Sequence, residues 1–402
     1  MAVAGIICEY NPFHSGHLRQ FAQLRERLGA DTAIVCLMSG AFVQRGEVAV
    51  FSPAVRAAAA VECGADLVLE LPVTHSLRSA EGFAAGGVEI LSRLGAVDAL
   101  CFGAEHADAD ALLKTAGILC SADYEAALRA QLQSRVSYAA ARERALTACG
   151  GDGQLLQRPN DILAAEYCKA IVQQKSGLRP LVLPRGGDYH AQTADAENPS
   201  ATAVRALYPS GSWRALVPEA AAALYETAER FTMAAGERAM LARLRGLTER
   251  EWEHIPYGSE GLWRAVYKAV QREGSVEDII NAAKSKRYVR TRLQRLLLCA
   301  YLGLTADDLA RPAEFVRVLA LGARGGALLR RIREASAIAC LNAGARAPAG
   351  AQAAIETRCA GLSTLFSTGT SAPAAALAQK GKVYRRKNAE KFEKALASAK
   401  KL

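Results

Sequence analysis

Two histidines stand three positions apart in the stretch EYNPFHSGH, residues 9–17, of a chain that has only six. His14 and His17, separated by Ser15 and Gly16, are residue types that hold a metal, donate to a phosphate, or do neither in a solvated loop. A metal site needs further ligands, and no nearby carboxylate or cysteine pair completes one. Phosphate chemistry suits the spacing better. Gly16 lets a ligand approach the backbone, and a helix beginning here would aim its first N–H groups at an anion. Two imidazoles can then donate to phosphoryl oxygens as charge builds on them. A second set lies in NPSATAVRALYPSG, residues 198–211, where Ser200 and Thr202 precede Arg205 in a helix-like run. A hydroxyl there either caps the helix or grips an anion together with the arginine.

These groups converge only if the elements around them place them on one rim. Residues 3–8, 32–38, 66–71, 99–103 and 180–184 read as buried strands, apolar without alternation and bounded by Gly, Pro or Asp. Helix-like segments such as 54–63 and 81–94 lie between them. Strand and helix in repeated alternation predict an α/β fold, a parallel sheet with helices on both faces. Ligands in such sheets bind beyond the carboxyl ends of the strands. That puts the segments after Cys8, Met38 and Phe102 on one rim, together with QRGE, whose Gln44, Arg45 and Glu47 follow the second strand. His106 and His190 are rim candidates without a role. From about residue 215 the β signal fades. Segments 216–246, 260–272, 276–283, 288–303, 313–321 and 324–341 are helix-periodic. The expected division is a nucleotide-binding domain over 1–212, a mainly α-helical domain over 213–342, and a basic Ala/Lys-rich tail over 343–402, solvated or partly disordered.

Composition narrows the class. Of 402 residues 51% are hydrophobic and 22% charged, as in globular proteins. No run approaches the ~18 apolar residues of a membrane span, and MAVAGIICEYN reads as a buried first strand and not a secretory leader. Ten cysteines are scattered without a CxxC pair, which points to a reducing cytoplasm. The formal charge of +10 favours a nucleic-acid partner. The densest basic stretch is KSKRYVRTRLQR, where Lys284, Lys286, Arg287, Arg290, Arg292 and Arg295 surround Tyr288. Such a cluster either contacts RNA phosphates and stacks a base, or is a solvated helix face. Basic residues near Lys382, Arg385, Arg386 and Lys387 would add RNA affinity.

His-Ser-Gly-His is the HxGH signature of the nucleotidyltransferase superfamily that includes the class I aminoacyl-tRNA synthetases. SATAVR is similar to that superfamily's Ser/Thr-Ser/Thr-x-x-Arg-like element. Further motifs occur in order: MSGAFVQRGEVAVFSPAVRAAAAVECGADLVLELP (38–72), FGAEH (102–106), QRPNDILAAEY (157–167), PRGGDYH (184–190), PSATAVR (199–205) and SKRYVRTRLQRLLL (285–298). Together, from residue 3 to about 300, they resemble the bacterial tRNA(Met) cytidine acetate ligase family.

That resemblance implies a Rossmann-like domain that activates acetate with ATP as acetyl-adenylate. The acetyl group then passes to N4 of the wobble cytidine of elongator tRNA(Met), giving N4-acetylcytidine, AMP and pyrophosphate. His14 and His17 would serve the phosphates; Ser200, Thr202 and Arg205 would serve the pyrophosphate end. Mg²⁺ would accompany the triphosphate. The first ATP loop would run through Ile7, Cys8, Glu9, Tyr10, Asn11, Pro12 and Phe13 into His14, Ser15, Gly16 and His17, then Leu18, Arg19 and Gln20. Gly103, Asn160 and Arg185 would complete the contacts. From the residues alone, Arg45 either lies in a solvated loop or meets acetate, phosphate or tRNA. Pro184, where the family tends to have a basic residue, and Asp188 depart from its pattern, as does the whole tail. No membrane and no obligate protein partner are expected. From the residues alone, acetate and other small carboxylates stay equally open, as does the identity of the tRNA. Alternatives are another adenylyl or cytidylyl transferase acting on a small molecule, or a non-catalytic RNA-binding protein on the same fold.

Overall fold

Five runs too apolar to lie at a surface become neighbours in one sheet. In the computed structural model, β1 (Val3–Cys8), β2 (Ala33–Ser39), β3 (Leu67–Leu71), β4 (Ala99–Ala104) and β5 (Arg179–Pro184) pair in parallel, in the order β3-β2-β1-β4-β5. The structure describes residues 1–134, 136–185, 199–285, 288–369 and 383–386. Cys8 lies opposite Met38, and Ala104 opposite Pro184, so the carboxyl ends finish along one edge. Alternate residues serve opposite faces. Ile7, Val35, Leu37 and Leu69 join a core with the helices Ala80–Arg93 and Pro159–Gln173, through Leu91 and Ala165. Ile6, Cys8, Cys36 and Val68 join another with the helices Ser15–Leu28 and Pro53–Glu62. Burial on both faces is why these strands show no polar alternation.

Residues 313–321, expected to be helical, form β6 (Phe315–Leu321) instead. This strand lies antiparallel to β3, and β7 (Ala339–Asn342) and β8 (Tyr384–Arg385) both pair with it in parallel. Its sequence FVRVLAL interrupts an apolar run only at Arg317, so it fits neither a period of 2 nor one of 3.6. The open edge of β3, more than 240 residues back, decides its state. Arg324 then fastens the return, reaching Asp66 at 2.9 and 3.0 Å.

The expected boundaries at 212 and 342 therefore do not divide the fold. Beyond the first, the helix Glu219–Tyr225 packs Ala221 and Tyr225 on the sheet. Beyond the second, the helix Ala351–Ser363 buries Ile355 and Cys359 in the helical core. Arg386 is buried 3.7 Å from Glu62, not offered to RNA; Lys382 and Lys387 lie outside the described residues.

The helices Met233–Arg245, Leu262–Arg272, Val276–Ala283 and Arg290–Leu302 share a core with Trp252. A hairpin after β2, Phe42–Val43 against Glu47–Val48, inserts Phe42 and Val48 into it. Gly46 turns this hairpin at φ 82°, and a Cβ there would come within 2.6 Å of the Gln294–Arg295 backbone. Only glycine meets both demands. QRGE is thus the joint between sheet and helices. Among the described residues no helix is long and apolar enough to cross a membrane, and all ten cysteines are free thiols.

One side chain holds the sheet edge. Arg56, fully buried on the helix Pro53–Glu62, donates Nε to the Phe51 carbonyl at 3.0 Å and Nη2 to that of Ser39 at 3.0 Å. It also donates to the carbonyls of Gly40 and Glu9. Burial pushes its guanidinium down to about 10 against the pull of Glu9, so it stays charged at neutral pH. Replacement by methionine would fill the space but leave these carbonyls without a donor. Arg56→Met is expected to cost about 3–5 kcal/mol, read as a lowered urea midpoint, with Arg56→Lys recovering only part.

Candidate active site

The turn leaving β1 is built from the inside. Tyr10 takes φ 45°, held there by ring contacts with Phe13, His17 and Phe21. Tyr10, Phe13 and Leu18 are core residues, so these members of the expected ATP loop serve it through packing and backbone, not through side-chain contact. Tyr225 Oη accepts from the Phe13 N–H at 3.0 Å, and Asn11 Oδ1 from that of Val50 at 2.8 Å.

On this base the two histidines cap the helix Ser15–Leu28 reciprocally. His14 Nδ1 accepts from the Gly16 N–H at 3.1 Å, and His17 Nδ1 from the His14 N–H at 3.2 Å. Their rings stack with centroids 3.8 Å apart. A Cβ on Gly16 would sit 3.0 Å from the His14 ring. Burial, reinforced by Arg185, pulls His14 down to about 3. Burial also holds His17 well below the usual imidazole range, with His14 and Arg185 adding to it. Both rings are therefore neutral at pH 7. Since each Nδ1 is an acceptor, each proton sits on Nε2, leaving two fixed donors beside a helix N-terminus.

The second sequence element lies against the first. Pro199 O is 3.8 Å from the space a Gly16 Cβ would fill. Arg205 Nη1 donates to the Asn11 carbonyl at 2.6 Å, and its Nη2 to Thr202 Oγ1 at 3.3 Å. Ser200 caps the short helix Ala201–Ala206, accepting from Ala203 N–H at 3.0 Å.

Across the sheet, Asn160 stands near the start of the helix Pro159–Gln173. Its Oδ1 accepts from Arg185 Nη1 at 3.2 Å and its Nδ2 donates to Glu105 at 2.7 Å. Gly103 lies on the strand ending there, next to the Arg185 side chain. His106, expected only as a rim candidate, bonds Asp161 through its N–H at 2.9 Å and its Nδ1 at 2.6 Å. His190 and Asp188 lie outside the described residues. Between the two halves, the Glu9 carboxylate accepts from Gln44 N–H at 2.7 Å. Burial raises it above the usual range, opposed by that bond and by Arg45, Arg205 and Arg56. One rim thus carries fixed neutral donors, a guanidinium on each side, and a half-buried carboxylate.

Known proteins resemble this chain in sequence and fold. The model of the HIGH nucleotidyl transferases matches residues 1–375. A tRNA(Met) cytidine acetate ligase of Acetivibrio thermocellus is 34% identical over 362 residues, spanning 84% of this chain and 87% of the relative. One of Syntrophomonas wolfei is 35% identical over 355 residues, spanning 83% and 85%. The chain belongs to the tRNA(Met) cytidine acetate ligase family. Thermotoga maritima TmcAL has the same fold, with a TM-score of 0.85 and 25% identity over 96% of this chain and 100% of its own, and has been solved bound with alpha-thio ATP. The chain is thus an enzyme, an ATP-dependent ligase on the nucleotidyl transferase fold.

The basic stretch of this family member does not form one open face. Arg295 is buried, over the Tyr257 ring at 5.0 Å, with Nη1 3.4 Å from the Gln44 carbonyl. It belongs to the joint, not to an RNA surface. Arg290 grips Glu277 bidentately at 2.6 and 2.5 Å. Arg292 donates to the Tyr257 carbonyl at 3.0 Å and lies 5.2 Å from the Tyr288 centroid. Lys284 is exposed; Lys286 and Arg287 lie outside the described residues. Gln44 and Glu47 also serve the joint, Glu47 accepting from Gln294 at 3.1 Å and Gln44 donating to Arg78 O at 3.2 Å. Sequence reasoning missed Arg56, Glu105, Asp161 and Tyr225. Glu105 and Asp161 sit inside motifs already singled out, FGAEH and QRPND, and a carboxylate beside each was the available signal.

Neutral histidines make stability depend on pH. Unfolded, His14 and His17 take protons as pH falls through about 6.5, whereas folded they resist until far lower, His14 to about 3. Their contribution is complete above the unfolded value and is lost progressively below it, roughly 1 kcal/mol per histidine per pH unit between pH 6 and 5. Buried His75, pulled down to about 3, adds a share. Urea unfolding at pH 7, 6 and 5 is expected to show this fall. Glu9 and Glu356, whose carboxyls burial raises, work in the opposite direction, so the pair's share is read as the difference between the parent and the variant His14→Asn with His17→Gln, whose stability should fall less steeply with pH.

Proposed function

We propose that this ligase activates acetate with ATP and acetylates N4 of the wobble cytidine of elongator tRNA(Met). The observation that carries the reading is the pair of Nε2 donors on His14 and His17, fixed on one rim with Arg205. An acetate oxygen attacks the α-phosphorus, and the bond to pyrophosphate breaks with its electron pair leaving on pyrophosphate. The cytidine N4 then attacks the acetyl carbonyl carbon, the bond to the AMP oxygen breaks, and N4 loses a proton to solvent. Neither step needs a covalent enzyme intermediate; both need charge stabilised where it builds.

His14 and His17 donate to the α-phosphoryl oxygens, and Arg205 with Ser200 and Thr202 receives the pyrophosphate. Asn160 and Arg185, already bonded to each other, flank the adenosine side. A Cβ at Gly103 would meet only Arg185 and Leu183 atoms at 3.6–3.9 Å, an ordinary contact. The protein itself does not demand glycine there, whereas a nucleoside lying on the strand end does. Among the described residues no group of three or more His, Cys, Asp or Glu gathers to hold a metal. Magnesium would accordingly arrive with the triphosphate, on phosphate oxygens and water. The substrates named for the relatives, tRNA(Met) cytidine and acetate, fit this rim with a helical layer beside it.

ATP–pyrophosphate exchange tests the first step without tRNA. Exchange is expected to require acetate and to fall at least about 100-fold in His14→Ala and in His17→Ala, while tRNA affinity by filter binding stays within threefold. Exchange that ignores carboxylate, or equal loss of exchange and tRNA binding, would count against the assignment.

A further inference from the structure

A cavity of 540 Å³ opens where the sheet rim, the QRGE hairpin and the helical layer meet, within the size range of small-molecule sites, about 300–1,000 Å³. Its walls include Arg205, Tyr208 and Arg230 on one side, and Glu47 and Gln294 on the other. Arg205 is the link to the nucleotide rim, since it also bonds the carbonyl of Asn11 in the loop before His14. Whatever fills this space lies beside the phosphate machinery. The far wall is the helix Arg290–Leu302, whose leading turns carry the basic stretch.

The chemistry of the walls selects the occupant. Tyr208 stacks on Trp213 at 4.8 Å, and the Arg230 guanidinium lies 6.0 Å from its centroid. A planar cation over an aromatic ring is a platform for a nucleobase. Glu47 and Gln294, bonded to each other at 3.1 Å, supply acceptor oxygens on the opposite wall. An exocyclic amine donates to such a wall, whereas the carbonyl of uracil would be repelled by it. We propose that this cavity is the acceptor-base subsite, taking one pyrimidine with an exocyclic amine turned out of an RNA loop, its ring against Tyr208 and Arg230 and its amine toward Glu47 and Gln294. Extruding an unpaired loop base costs little, which suits an anticodon. The inference rests on the ligase reading above and adds where the acceptor lies.

Photocrosslinking reads the base's position without any turnover. An anticodon stem-loop with 5-bromocytidine at the wobble position, irradiated with the full chain, is expected to crosslink to the cavity wall, within residues 46–50, 205–240, 276–280 or 290–297. Ala234 is exposed and lines the cavity, so Ala234→Trp fills the space from a wall position outside the core. That variant should lose the crosslink at least tenfold and acetyl transfer at least 100-fold. Its stem-loop affinity should stay within threefold and acetate-dependent exchange within twofold. Arg230→Ala should also weaken transfer while sparing exchange. A crosslink mapped elsewhere, or transfer by Ala234→Trp within threefold of the parent, would overturn the subsite. A parent chain that crosslinks in the cavity but supports no acetate-dependent exchange would sink the ligase reading and leave the base subsite standing.

Discussion

Arg56 ties together backbone that would otherwise have no reason to meet. Its guanidinium joins the carbonyls of Glu9 at the end of β1, Ser39 and Gly40 at the end of β2, and Phe51 ahead of its own helix. Parallel strands leave their carboxyl ends as open carbonyls and diverging loops, which makes a ligand rim and also a weakness. One buried cation answers that weakness where the loop after β1 and the QRGE hairpin depart. Its charge is retained because Glu9 offsets part of the desolvation. The rim therefore inherits its geometry from a fully buried residue in an Ala-rich helix.

On that fixed edge the division of electrostatic labour is clear. With His14 pulled down to about 3, its ring is neutral at pH 7. The histidine pair carries no charge; the positive charge on this rim lies on Arg185 and Arg205, on either side of it. Neutral donors whose other nitrogen is tied to the backbone need no reorganisation as charge appears on a phosphoryl oxygen. Charged imidazoles 3.8 Å apart would repel each other and the nearby arginine. Stacking, reciprocal capping and neutrality are thus one arrangement seen three ways.

Much of this was legible in the residues. The five parallel strands announced themselves because burial on both faces leaves unbroken apolar runs, and HxGH fell where the first of them meets a helix. Gly16 and Arg205 lie on the same rim as Asn160 and Arg185, and of these Asn160 was singled out by the family resemblance and not by its own position. What local pattern could not carry was anything decided at long range. FVRVLAL becomes a strand only because β3 offers an edge. Arg295 looks like its basic neighbours in sequence, yet the approach of the hairpin at Gly46 buries it. Arg56 has no local signal, since its four acceptors come from three separate segments.

The most direct measurement is mass spectrometry of the nucleosides of unmodified elongator tRNA(Met) after incubation with the purified chain, ATP, Mg²⁺ and acetate. The expected result is the mass gain of one acetyl group on the anticodon cytidine, absent when either ATP or acetate is withheld and absent with His14→Ala. An unmodified anticodon in the complete mixture, from a chain that binds that tRNA and exchanges pyrophosphate, would contradict the assigned acceptor.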